Sequence, residues 1–179
     1  MREHVILTLL GISSVAATFA GFSGVVAVFD RRAHGVWFPE ESFRLINMLV
    51  ISLAACLFSL LPLIEEMFSI SEPIRWMTSS AVMGLFSFAQ LLYALATRQR
   101  LRRSRPGALP GWATVMFIGC LGLTTALQFL NATRLVDDHG PGVYVVGLWL
   151  LLLAAGLQFA LLVLVPVASG RSGSSNSEN

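Results

Sequence analysis

The chain has no lysine, only two cysteines, and no aspartate, glutamate or arginine in the interior of any of its long apolar runs. Each scarcity excludes something. Cys56 and Cys120 both fall inside apolar runs, so there is no exposed disulfide framework and no Cys-x-x-Cys motif, and both read as small apolar core residues. Membrane thiol oxidoreductases need reactive thiols near a surface, where neither cysteine lies. Proton relays, voltage sensors and ion-coupled transporters usually need an ionisable group in mid-membrane, and none is present. No histidine lies in a run, so a haem held between helices lacks its usual ligands. There is no HExxH, no phosphate-binding glycine loop, and no Ser/His pair that shares a depth.

What the chain does have is apolar length. Five segments run from Val5 to Phe29, Leu45 to Ile64, Ile74 to Ala96, Trp112 to Leu130 and Val143 to Val167. Each reaches or approaches the roughly 20 residues that cross a hydrocarbon core of about 30 Å. With 55% apolar and 12% charged residues, the chain lacks the polar positions that a soluble bundle needs every third or fourth residue. Backbone groups in lipid must be satisfied within each span, so the spans are helices. The expected fold is an all-α, five-span membrane bundle over residues 1–168, followed by a disordered polar tail, 169–179, rich in Ser, Gly and Asn.

The arginines set the threading. Arg31, Arg32, Arg44, Arg98, Arg100, Arg102, Arg103, Arg105 and Arg171 fall on one side of a five-span chain, and Arg2, Arg75 and Arg134 on the other. The positive-inside rule then places the N-terminus outside and the C-terminus in the cytoplasm. The first segment ends in Asp30-Arg31-Arg32 without a cleavage region and reads as a retained span rather than a signal peptide. Arginine-only basic usage suits a bacterial cytoplasmic membrane.

Aromatic residues and prolines sharpen the picture. Trp76 and Tyr144 fall at outer span ends, Tyr93 and Trp112 at inner ends, which are belt positions. Trp149 lies about one turn too deep for a belt and is expected to face a neighbouring helix. Pro39-Glu40-Glu41 marks the start of the second helix, with Glu40 and Arg44 spaced for an i,i+4 pair. Pro62 should kink or stop that helix, and Ser71-Glu72-Pro73 caps the third. The short connection between them predicts a tight antiparallel hairpin. Gly140-Pro141-Gly142 separates the fourth and fifth helices.

Four features are candidates for function. Ser13, Ala17 and Gly21, with Ala20 and Gly24, form four-residue steps of small residues, the pattern that lets helices approach closely in lipid. Gln90 and Gln158 lie at similar depth, about 5 Å to the inner side of the midplane, and are candidates for an interhelical bond or a polar lining. Glu65 and Glu66 sit at an outer span end with Glu72, Asp137, Asp138 and His139 nearby. In a ring of subunits they would form a cation-attracting vestibule, and otherwise they are a solvated face with Arg75 and Arg134 as partners. The run Arg98, Arg100, Arg102, Arg103, Arg105 holds its loop inside and attracts anionic lipid headgroups. No nucleic-acid fold accompanies it. No metal-ligand spacing and no cofactor motif is present, although His139, His4 and the acids are the side chains a metal would use.

These features point to a non-enzymatic membrane protein that acts through helix contacts, as accessory subunit, scaffold or anchor. Its partners would be the bilayer and another membrane protein or further copies of itself. The alternative is a self-assembled channel or transporter for a neutral or cationic solute, with Gln90, Gln158, Glu65 and Glu66 as polar elements. The threading makes a direct prediction. Alkaline phosphatase fused after residue 69 will be active and a fluorescent protein fused there dark, with the reverse pattern at residue 104. The opposite result at both sites would invert the orientation.

Overall fold

In a computed structural model the described residues, 3–34, 39–104, 111–135 and 140–164, form five helices. They are α1 (Glu3–His34), α2 (Pro39–Met67), α3 (Glu72–Ser104), α4 (Gly111–Ala132) and α5 (Gly140–Leu164). All five are long and apolar enough to cross a membrane, which marks the chain as an integral membrane protein. The tail, together with Arg105, Asp137, Asp138, His139 and Arg171, lies outside the described residues.

Helix ends follow backbone chemistry rather than hydropathy. α3 runs past its apolar stretch because Arg98 to Ser104 holds good helix formers and no proline. Pro39 opens α2, where its missing N–H costs nothing. The Ser71 carbonyl accepts the first bond of α3, from the Arg75 amide at 3.0 Å. α2 and α4 close alike. Ser69 and Arg134 adopt φ of 57° and 56°. The amides of Ile70 and Leu135 reach back to the carbonyls of Glu65 and Leu130, at 3.2 and 3.3 Å. This left-handed closure usually takes glycine, so each site carries a small strain. Gly140 and Pro141 begin α5 rather than separate it from α4, since proline fits the first helical turn.

The main packing runs α1 on α2, α2 on α5, α5 on α4 and α4 on α3, and a slighter contact between α2 and α3 closes the ring. α2, α5, α4 and α3 therefore surround a shared interior, and α1 lies outside it along α2. The tight α2–α3 hairpin expected from the short connection is not what forms. The two helices are neighbours, but α2 gives most of its surface to α1 and α5, and α3 gives most of its surface to α4. A short turn fixes only the adjacent ends, and side-chain fit decides the rest. α1 buries Leu9, Ile12, Ser13, Ala16, Ala20 and Ser23, one stripe at three- and four-residue spacing.

α2 does not stop at Pro62; it continues to Met67. Proline has no N–H to give the carbonyl four residues earlier, which is that of Phe58. The hydroxyl of Tyr144, fully buried at the start of α5, donates to that carbonyl at 2.7 Å. At the other end of the same pair, Arg44 of α2 donates from Nη1 to the carbonyl of Leu161, 3.2 Å away in the last turn of α5. That carbonyl lies in the last described turn of α5, and the C-terminal part of a helix favours a nearby cation.

Three aromatic expectations are corrected. Trp76 and Tyr144 are buried and pack together as tilted rings with centroids 5.6 Å apart, so neither serves as a belt residue. Trp149 is 57% exposed and faces outward instead of toward a neighbour. The hydroxyl of Tyr144 finds its partner inside the bundle, which removes its preference for the interface. Tyr93 and Trp112 are exposed at the opposite end of the helices. Tyr144→Phe should lower stability in detergent by about 1 to 3 kcal/mol, the cost of an orphaned buried acceptor. The same change in a Pro62→Ala background should cost distinctly less, because alanine in place of the proline supplies the missing backbone donor. Equal costs in the two backgrounds would show that the proline gap is not what Tyr144 fills.

Candidate functional site

The end of the bundle that carries the α2–α3 turn gathers the acids. Glu65 accepts from the hydroxyls of Thr78 and Ser79 on α3, at 2.8 and 2.9 Å. Arg75 is buried, donates to the Ile70 carbonyl at 3.0 Å and pairs with Glu66 at 3.3 Å. Both carboxylates of the candidate vestibule are thus engaged by the start of α3, Glu65 by Thr78 and Ser79 and Glu66 by Arg75. They staple the α2–α3 connection.

Deeper in the bundle, α4 projects a polar stripe between α3 and α5. Asn131 donates to Ser80 Oγ at 2.7 Å and to the Gly140 carbonyl at 3.0 Å. Gln128, fully buried, donates to the Val143 carbonyl at 3.1 Å. Two glycines make room for it. A Cβ on Gly84 would lie 3.3 Å from the Cβ of Gln128, and one on Gly147 would overlap its amide nitrogen. Sequence reasoning passed over Gln128 and Asn131. The usable signal was their spacing: Thr124, Gln128 and Asn131 step by four and three residues, and all three are buried on one face.

The arginine-rich end is built differently. Arg44, expected near the start of the second helix as an i,i+4 partner of Glu40, is only 1% exposed. It sits low enough on α2 to reach α5, as described above. With Arg98, Thr114 and Gln158 it lines a pocket of about 20 Å³ between α2, α3, α4 and α5. Gln158 is buried on the α5 wall. Gln90 lines a different cavity, of about 260 Å³, on the seam between α2 and α3 with Asn47 and Tyr93. The two glutamines are not brought together, and the Gln90 side-chain oxygen has no hydrogen-bond partner. Equal depth is insufficient because α3 and α5 touch little. Arg100 is exposed on α3, and Arg102 and Arg103 lie on its last described turn.

The small-residue ridge of α1 divides. Ser13 and Ala20 are buried, and Ser13 Oγ lies 3.3 Å from Cys56 Sγ of α2. Ala17, Gly21 and Gly24 face outward, and a Cβ on either glycine would meet nothing within 4 Å. Among the described residues no three His, Cys, Asp or Glu side chains group as metal ligands. No protein-family model, curated protein or solved structure gives a significant match to the chain.

The staple yields a test. Glu65→Ala should destabilise the protein by about 1 to 2 kcal/mol, the lower part of the charged hydrogen-bond range because the carboxylate is partly exposed. In a Thr78→Val, Ser79→Ala background the change should cost little. Undiminished loss there, measured by thermal unfolding in detergent, would mean Glu65 acts elsewhere.

Proposed function

We propose that this protein is a non-enzymatic membrane subunit that recognises another membrane helix, from a second copy or a different protein, through the outward face of α1. The observation that carries this reading is the divided ridge. Inside the protomer, Leu9, Ile12, Ser13, Ala16 and Ala20 already hold α1 on α2. The remaining small residues, Ala17, Gly21 and Gly24, form a second shallow face on the most peripheral helix. Small residues matter on a lipid-facing surface because association there depends on close backbone approach, not on the hydrophobic effect.

The engaged acids at Glu65 and Glu66 and the separate positions of Gln90 and Gln158 favour this reading over a self-assembled channel or transporter that uses them as polar elements. The accompanying orientation places the N-terminus outside and the arginine-rich end in the cytoplasm of a bacterial cell, as charge asymmetry favours.

The experiment is mass measurement of the intact assembly in mild detergent. A species heavier than the 19.4 kDa protomer is expected. Ala17→Leu with Gly21→Leu should return it to a folded protomer with its helix content retained, since neither position packs internally. An assembly that survives this pair of substitutions, or a native protein that is monomeric and partnerless, would remove the proposal.

A further inference from the structure

We propose that the seam between α2 and α3, at the arginine-rich end, binds one anionic phospholipid, with the phosphate at Arg98 and Arg44 and an acyl chain along the seam. The seam is held at one end only. Near the α2–α3 turn, Glu65 bonds Thr78 and Ser79, and Phe58 meets Phe86 edge-on with centroids 5.4 Å apart. Beyond Phe86 the helices leave a cavity of about 260 Å³, walled mainly by Ile46, Val50, Phe86, Ala89 and Tyr93. Its open side is formed by exposed residues, Ile46, Ala89 and Tyr93, so it communicates with the surroundings of the bundle. Surfaces at this depth meet hydrocarbon, and a lining that is apolar except for Asn47 and Gln90 suits a chain of methylenes.

The charge lies where the headgroup would be. Arg98 is two helical turns beyond Gln90, a rise of about 12 Å. It stands partly exposed beside the small pocket whose wall includes buried Arg44 and Gln158. At about 20 Å³ this pocket admits one oxygen-sized group rather than a whole phosphate. One phosphate oxygen entering it would meet a cation held in place from α2, while Arg98 takes the remainder of the headgroup from outside. Phe43, which lines the pocket, and Tyr93, which lines the seam, have ring centroids 6.1 Å apart, so the two cavities are neighbours. Trp112, exposed at the start of α4, marks the same end as interfacial. Basic pockets between membrane helices are an established way to hold anionic headgroups. A zwitterionic lipid would bring its own cation against Arg98. This inference stands apart from the α1 face, because the two surfaces share no residue.

The test is native mass spectrometry of the full chain with phosphatidylglycerol or phosphatidylcholine of identical acyl chains. One retained phosphatidylglycerol per protomer is expected, preferred over phosphatidylcholine. Arg98→Gln should reduce that preference about fivefold, the effect of one arginine near a lipid surface. Arg100→Gln, exposed on the same helix but outside both cavities, should reduce it distinctly less. Ala89→Trp, which fills the seam from an exposed position, should reduce retention of either lipid. Equal retention of the two lipids, an equal effect of Arg98→Gln and Arg100→Gln, no effect of Ala89→Trp, or displacement of the lipid by millimolar inorganic phosphate would each overturn the proposal.

Discussion

α2 and α5 are antiparallel partners, and a side chain of each donates to a backbone carbonyl of the other. Tyr144 of α5 fills the gap that Pro62 opens at the Phe58 carbonyl, and Arg44 of α2 caps the Leu161 carbonyl near the end of α5. In an apolar environment the Phe58 carbonyl has no water to turn to, so leaving it unsatisfied would cost about 1 to 3 kcal/mol. The pair is therefore fixed in register at both ends. The other helices are arranged around it, α1 on the outer side of α2, and α4 beside α5 with α3 beyond.

The same constraint explains the α3–α4–α5 contact. With little hydrophobic force to sort helices inside a membrane, small residues and side-chain amides carry the specificity. Gly84 and Gly147 leave the volume that Gln128 occupies, and Asn131 joins Ser80 of α3 to the first residue of α5. Polar groups are spent on helix pairing here. The acids Glu65 and Glu66 are likewise committed to the α2–α3 connection. Two surfaces are left over from this internal arrangement: the outward small-residue face of α1, and the seam where α3 follows α4 rather than α2. The functional proposals rest on these two.

Much of the fold was legible in the residues. Five apolar runs without interior charge translate directly into five helices, and Pro39 and Ser71 mark their starts. Individual side chains were read less well when their role depends on a neighbour. Trp76 and Tyr144 have the sequence position of belt residues, yet both are buried, because Tyr144 bonds a carbonyl that only the approach of α2 supplies. From the sequence Arg44 reads only as a topogenic cation and a partner of Glu40, because hydropathy cannot see the approach of α5. Gln90 and Gln158 were paired by depth alone, and depth leaves open the rotation of a helix about its axis. Gln128 and Asn131 carried a readable three-and-four spacing with Thr124, but a polar stripe does not name its partners.

By itself the sequence determined membrane insertion, the number of helices and where most of them begin, since these follow from local properties: apolar length, backbone satisfaction and the missing N–H of proline. Only the tertiary structure decided which helices pair, which small residues remain outward, and which polar side chains are engaged. Those outcomes depend on helix rotation and on close approach between segments far apart in the chain. A carbonyl freed by Pro62 can be foreseen, but only packing shows that Tyr144, 86 residues from Phe58, arrives to fill it.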